Sequence, residues 1–438
     1  MSLDQGLWYG LGGVNALFDD TITDQLFVGG GFYYAGNMVT SRITAWDGAT
    51  FDSLGHGIDN YGVPNQGTYV TSIVRYGDSI IAGGLFQKAG DSAIIGLAAW
   101  ANDQWHSFGN PKKAIWGLNV IDNELYVCGD FDTIGGVEAH GIAKWDGSSW
   151  NDVFQFPWLG TNSFDINRIH GVISYNGELI VYGQIPSPGI QYDLAFWNGQ
   201  QWNLFDVYGG VVGVNDAEIF NNELYVSGTF FEQNGNAGTG IMRYDGTQWN
   251  DVGGGMGGTA FPDVRKMEAH DGKLYCTGVF LTAGGVPAPF IAIWDGVEWC
   301  GLGSVFDNVC FTLTFFRDTL ILGGGFLTID GDSMWSISKW VGGNYVDTCG
   351  AIIGINETEQ GNLDFSLFPN PAQNQITIYS EQPIEQVRIL NLLGQTVKAE
   401  SFLSQKQISI DVSLLAAGVY FVEVESGKGK GVKKVVKE

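Results

Sequence analysis

Short runs of β-branched and aromatic residues alternate with Gly, Asn and Asp along residues 7–350, and no stretch carries a helical period long enough to matter. The runs form a unit that recurs. In its third copy the unit reads as residues 115–120, 125–129 and 141–145, then a run opening at Trp150, which predicts four short strands, a to d. The first Leu or Ile of strand b falls at Leu26, Ile80, Leu125, Leu179, Leu224, Leu274 and Leu320, in steps of 54, 45, 54, 45, 50 and 46 residues. Periods of this size mark repeated supersecondary units.

Within each unit one aromatic residue follows another after five positions: Trp46/Phe51, Trp100/Trp105, Trp145/Trp150, Trp197/Trp202, Tyr244/Trp249, Trp294/Trp299 and Trp340/Tyr345. The pairs flank a tight turn that is Asp-Gly in four of the seven copies. Residues i and i+5 of such a hairpin face each other across adjacent strands. A feature present in every copy serves the scaffold, so each pair is expected to be a packing ladder between neighbouring sheets. A row of sugar-stacking aromatics is the functional alternative.

Seven four-stranded units of this length resemble a β-propeller, and most closely the kelch class. The resemblance rests on the small residues closing strand b (Gly29-Gly30, Gly83-Gly84, Gly323-Gly324), the Trp-Asp or Tyr-Asp on strand c and the Trp opening strand d. A family of extracellular repeats with Trp-Asp-Gly followed by Trp-x-x-Leu-Gly is equally similar. Both imply an all-β, seven-bladed β-propeller over residues 4–350, and neither specifies an activity. Trp8-Tyr9-Gly10-Leu11-Gly12 repeats the strand d ending at Trp299-Cys300-Gly301-Leu302-Gly303. Residues 7–12 are therefore expected to complete the seventh blade and close the ring, leaving no open sheet edge.

The repeat stops after Cys349-Gly350, residues 351–362 read as a polar linker, and a different pattern fills residues 363–438. There Pro369-Asn370-Pro371, Gly394-Gln395, Leu415-x-x-Gly418-x-Tyr420 and Lys433-Lys434 occur in order at the chain end. This resembles the C-terminal sorting domain of cargo of the type IX secretion system of Bacteroidota. It implies a small Ig-like β-sandwich of about seven strands, the secretion machinery as a partner, and an extracellular or outer-surface destination. The residues also have a physical reading: Pro369 and Pro371 fix an extended approach to the first strand, Gly394 suits a positive φ, and Gly418 permits a tight turn.

Composition agrees with a rigid extracellular β protein: 65 Gly, 13% aromatic and only 16% charged residues. No apolar run reaches the ~20 residues of a membrane helix. Met1-Ser2-Leu3 leads at once into mature-looking sequence, so no signal peptide is expected at this start. Residues 362–438 are balanced in charge, which puts the whole net charge of −26 on residues 1–361 and makes nucleic acid an unsuitable partner. Of the five cysteines, Cys128 and Cys276 sit at small core positions, while Cys300, Cys310 and Cys349 cluster where an oxidising exterior permits a bridge.

Candidate chemistry lies where the copies disagree. Aligning strand a puts Val14, Val70, Ile115, Ile169, Val214, Val264 and Cys310 in an apolar ring, followed by Asn15, Thr71, Trp116, His170, Asn215, Arg265 and Phe311. The second ring is variable and largely polar, with Arg168, Asp216, Asp263 and Lys266 adding charge beside it. Trp116, His170, Asn215, Asp216 and Arg265 are the candidate ligand-binding residues, the Trp stacking on a polar, sugar-like ligand and the rest hydrogen-bonding it. The favoured reading is a monomeric, non-catalytic module recognising a glycan or protein. The alternative is a polysaccharide hydrolase or lyase using Asp216, Asp263 or His170, since glycosidic chemistry needs paired carboxylates. His270 fills a slot held by Tyr76, Ile121, Tyr175, Phe220 and Phe316 in sister copies. No His-rich metal set, nucleophile elbow or phosphate loop is present. Asp330-Gly331-Asp332 leaves calcium as the one cofactor open, against a plain turn.

Overall fold

Antiparallel meanders are what alternating burial and Gly-rich turns dictate, and the computed structural model is all-β. It describes residues 3, 6–8, 13–60, 67–153, 168–187, 190–205, 213–232, 237–340, 363, 365–391, 396–416, 418–426 and 429–437. Every regular element among them is a strand, and no helix is long and apolar enough to cross a membrane. The chain divides into two compact units, Met1–Ala351 and Ile352–Glu438.

In the first unit the order a-b-c-d recurs in six four-stranded sheets, and a seventh sheet contains a, b and c. The third sheet is Ile115–Ile121, Glu124–Gly129, Ile142–Trp145 and Trp150–Asp152, within a residue or two of expectation. Six of the aromatic pairs are direct cross-strand partners. Their ring centroids lie 5.1–6.5 Å apart, a tilted geometry that adds about 0.5–1.5 kcal/mol per pair beyond burial. Tyr345 of the seventh pair lies outside the described residues. At four junctions the residue three places past the second aromatic packs against the next sheet's pair. Phe108 meets Trp145 and Trp150 at 5.5 and 5.2 Å, Phe205 meets Trp249 at 5.2 Å, and the indole N–H groups of Trp105 and Trp299 donate to the carbonyls of Leu54 and Val252. The pairs are an inter-sheet ladder.

Strand a of each sheet packs beside strand a of the next, and the seventh packs on the first. The contact explains the small residues of strand b. A Cβ added at Gly29 would lie 2.6 Å from Val70 Cγ1, at Gly83 2.6 Å from Ile115 Cγ2, and at Gly323 2.5 Å from Val14 Cγ1. Sheets seven and one therefore meet as sheets one and two do.

A second link spans the junctions. Strands b and c are joined in five sheets by a small hairpin whose turn N–H reaches back to the segment after strand d of the preceding sheet. Gly36, Gly90, Gly135, Gly284 and Asp330 donate to the carbonyls of Gly6, Gly57, Gly109, Gly255 and Val305 at 2.6–2.9 Å. The expectation for the chain start is corrected here. Leu7–Trp8 does not extend the seventh sheet but pairs with Tyr34–Ala35 of the first sheet's hairpin, while Leu7 N–H donates to Trp335 O at 2.7 Å. It occupies the clasp segment, which Ile58–Asp59 and Met256–Gly257 occupy elsewhere. Residues 9–12 lie outside the described residues.

The second unit is one curled sheet of five strands among the described residues, where about seven strands in a sandwich were expected. The reason is continuity. Residues 375–379 and 386–390, apolar alternations separated by a polar stretch, belong to one strand, Gln375–Leu390. Polar Ser380-Glu381-Gln382-Pro383 is absorbed as a register shift against Thr396–Asp411, and a bulge tolerates the proline that a regular ladder would not. Ile376, Ile378, Val387, Ile389, Val422 and Val424 form part of the core.

Candidate functional site

Every strand a carries the same irregularity. Its register against strand b slips at one residue, and that residue is Asn15, Thr71, Trp116, His170, Asn215, Arg265 or Phe311. The variable ring is seven β-bulges, each of which re-aims one side chain. The apolar residues before them are all at most 1% exposed.

Part of the ring ties sheets together. Thr71 Oγ1 donates to Ile115 O at 2.7 Å, His170 Nδ1 lies 2.8 Å from Val214 O, and Asn215 Nδ2 donates to Val264 O at 3.0 Å. Each reaches the same carbonyl of the following sheet. A carbonyl only accepts, so Nδ1 of His170 carries the proton. Burial pushes the imidazole's pKa below its ordinary value, aided by Arg168 and opposed by the Val214 carbonyl, Asp263 and Asp216. His170 is thus a neutral donor. Asp216, one place past the bulge and 6% exposed, accepts from Met267 N–H at 2.7 Å and Lys266 Nζ at 3.1 Å, with Tyr182 Oη 3.5 Å away.

Two clusters on the ring reach solvent. Trp116 Nε1–H donates to Asp130 at 2.6 Å, its ring lies 6.3 Å from that of Tyr69, and the guanidinium of Arg168 sits over it at 4.6 Å. Arg168 therefore takes one face of the indole expected to stack on a sugar. Burial raises the Asp130 carboxyl, against the lowering effects of Trp116, Arg168 and Lys113. In the second cluster Arg265 Nε donates to Asp263 at 2.9 Å and its guanidinium lies 4.8 Å from the Phe311 centroid. Asp263 also accepts from Asn215 at 2.6 Å and Thr229 at 2.8 Å. Of the five residues named from sequence, Asn215 and Arg265 meet through Asp263. Trp116 belongs to another cluster, His170 braces Val214, and Asp216 belongs to a third group.

That third group holds Asp216, Glu218, Lys266 and Glu268. Burial pushes the Glu218 carboxyl up to about 7, against the pull of Lys266. Glu268, also raised by burial, accepts from Phe315 N–H and Thr314 Oγ1 at 3.2 Å each. Lys266, Glu268 and His270 line a cavity of about 680 Å³ with Phe18, Thr314 and Phe315. His270 stacks on Phe315 at 3.7 Å, the structural slot expected of it. Asp130 and Thr229 were missed from the sequence. Both directly follow the Gly that closes strand b, a second place where the copies disagree.

Among the described residues no group of three or more His, Cys, Asp or Glu is arranged to hold a metal ion. Asp330 instead caps its hairpin, accepting from Val305 N–H at 2.7 Å. Cys128, Cys276 and Cys310 are buried free thiols and Cys300 is disulfide-bonded; Cys349 lies outside the described residues.

In the second unit Pro369 and Pro371 each follow a cis peptide bond. Asn370 between them grips the last strand, donating to Lys434 O at 2.9 Å and accepting from Val436 N–H at 2.8 Å. Leu415 packs on the core, and Tyr420 Oη donates to Ala416 O at 3.0 Å. The Lys433 ammonium lies 5.4 Å from the Phe365 ring centroid, and Lys434 is exposed. Gly418 opens strand Gly418–Ser426 opposite Lys437 with no left-handed φ; a turn precedes that strand at residues 413–414. Gly394 lies outside the described residues.

Residues 366–438 match the secretion system C-terminal sorting domain family, the type IX kind whose tail directs export to the cell surface or beyond. No curated protein matches the chain. Among solved structures it is similar to the extracellular domain of a protein assigned as a hybrid two-component system of B. thetaiotaomicron, at 9% identity and a TM-score of 0.45. The match covers 99% of this chain but 56% of that one, so the chain spans just over half of its length.

Proposed function

We propose that residues 4–350 form a seven-bladed β-propeller of kelch-like type, joined by a linker at 351–362 to the sorting domain at 363–438. A Bacteroidota cell exports the protein through its type IX machinery, and it acts outside the cell as a monomeric, non-catalytic module that binds a glycan or a protein. One observation carries this reading: seven meanders of one plan pack strand a to strand a in a closed cycle, and the bulge of each presents a different side chain. Trp116 with Arg168, and Arg265 with Phe311, offer the ligand contacts, while His170, Asn215 and Asp216 frame them. Asp216 and Asp263 are each held by several donors, which suits framing carboxylates better than an acid and base awaiting substrate.

The test screens the full chain against oligosaccharides and surface proteins, then repeats each positive with Trp116→Ala/Arg265→Ala. Loss of binding at an unchanged melting temperature is expected. Unchanged affinity in the double variant would refute the bulge ring as the site.

A further inference from the structure

One pair of the aromatic ladder, Trp197 and Trp202, stands in the wall of a cleft between the third and fourth sheets. Tyr175 packs on Tyr244 at 6.3 Å and Phe316 on Trp46 at 5.5 Å, each from the end of strand a of the preceding sheet. Phe108 and Phe205 cover the next pair from beyond strand d. Between the third and fourth sheets both positions hold smaller side chains. Ile121 stands where Tyr175 and Phe316 stand, and Val153 where Phe108 and Phe205 stand. Beside them lies a cleft of about 790 Å³ with Trp197 and Trp202 in its wall. Their rings lie 5.2 Å apart, and each is partly exposed.

The rest of the cleft is polar. Gln200 and Gln201, exposed on the turn between the two tryptophans, bring side-chain amides to its rim, and Asp122 and Asp152 bring carboxylates. The lining cation, Lys144, is held by Glu124 at 2.8 and 2.9 Å, and Glu124 also accepts from Tyr126 Oη at 3.2 Å. Two indole faces beside amides and carboxylates match a pyranose, whose C–H face packs on aromatic rings while its hydroxyls both donate and accept. The acidic rim, on a chain of net charge −26, repels anionic polymers.

We propose that the cleft between the third and fourth sheets binds a neutral oligosaccharide, with Trp197 and Trp202 as its platform and Gln200 and Gln201 reading its hydroxyls. This site is separate from the bulge ring and stands or falls independently of it.

The experiment titrates the full chain with neutral hexose oligomers, following tryptophan emission and calorimetric heat, with uronate oligomers and a peptide library as comparators. Neutral oligomers are expected to bind. Gln200→Ala/Gln201→Ala, which alters only exposed side chains, should weaken them at least about tenfold, the loss of two hydroxyl contacts, at an unchanged melting temperature. Trp197→Ala should abolish binding, and Trp116→Ala/Arg265→Ala should leave it intact. The proposal is overturned if no neutral oligomer binds, if uronates or peptides bind in preference, or if the rim double variant binds as tightly as the parent.

Discussion

Replacing Glu218 by Gln should stabilise the repeat unit at pH 8.5 and leave it unchanged near pH 4.5. Burial raises this carboxyl from 4.5 to about 7 in the folded chain, with Asp216 and Glu268 adding to the rise and Lys266 opposing it. The folded protein therefore keeps the proton up to about pH 7, while the unfolded chain releases it near 4.5. Between those values the folded state binds more protons, so stability falls as pH rises through the window and stays reduced above it. The rise from 4.5 to about 7 converts to about 3.5 kcal/mol, an upper limit because water still reaches the side chain. Gln keeps the shape and removes the charge. All 15 Trp precede residue 341, so urea unfolding followed by tryptophan emission reports the first unit alone. An equal stability difference between variant and parent at pH 4.5 and 8.5, or a loss of stability at pH 8.5, would refute the assignment.

Two further outcomes follow from the same geometry. Gly323→Val would drive carbon into Val14 and Thr312 at the meeting of sheets seven and one; a loss of about 1–3 kcal/mol is expected. A melting temperature equal to the parent's would contradict the closing contact. Thiol labelling should find Cys128, Cys276 and Cys310 reactive only after unfolding and Cys300 only after reduction; labelling of any of them in the native protein would count against their placement.

The repeat was legible because its period, its aromatic pairs and its closing glycines each answer to a local rule: a hairpin opposes residues five apart, and a neighbour's Val or Ile forbids a side chain at Gly29 or Gly83. What escaped the sequence answers to non-local geometry. A bulge leaves no mark in residue type when its seven occupants range from Thr71 to Trp116, so its positions read as variable without revealing that Thr71, His170 and Asn215 spend their polar groups on the next sheet. Trp8 looked like the Trp of strand d because Trp8-Tyr9-Gly10-Leu11-Gly12 repeats the ending at Trp299-Cys300-Gly301-Leu302-Gly303. Its partner, Tyr34, stacks on it at 4.5 Å and decided otherwise. In the second unit the alternation that resumes at Val387, past Pro383, continues the same strand.

The hairpin clasps bear on how such a molecule can grow. Five copies each hold out one hook, the turn N–H, and the hooks at Gly36, Gly90, Gly135, Gly284 and Asp330 catch eyes of the same make, the carbonyls of the preceding clasp segments. Copies joined this way are interchangeable links, so duplicating or deleting one would leave its neighbours with matching ends. The number of links is then set not by the chemistry of the joint but by the angle at which one sheet meets the next. Leu3 and Leu7, each 1% exposed, anchor the eye that the first link takes from the very start of the chain.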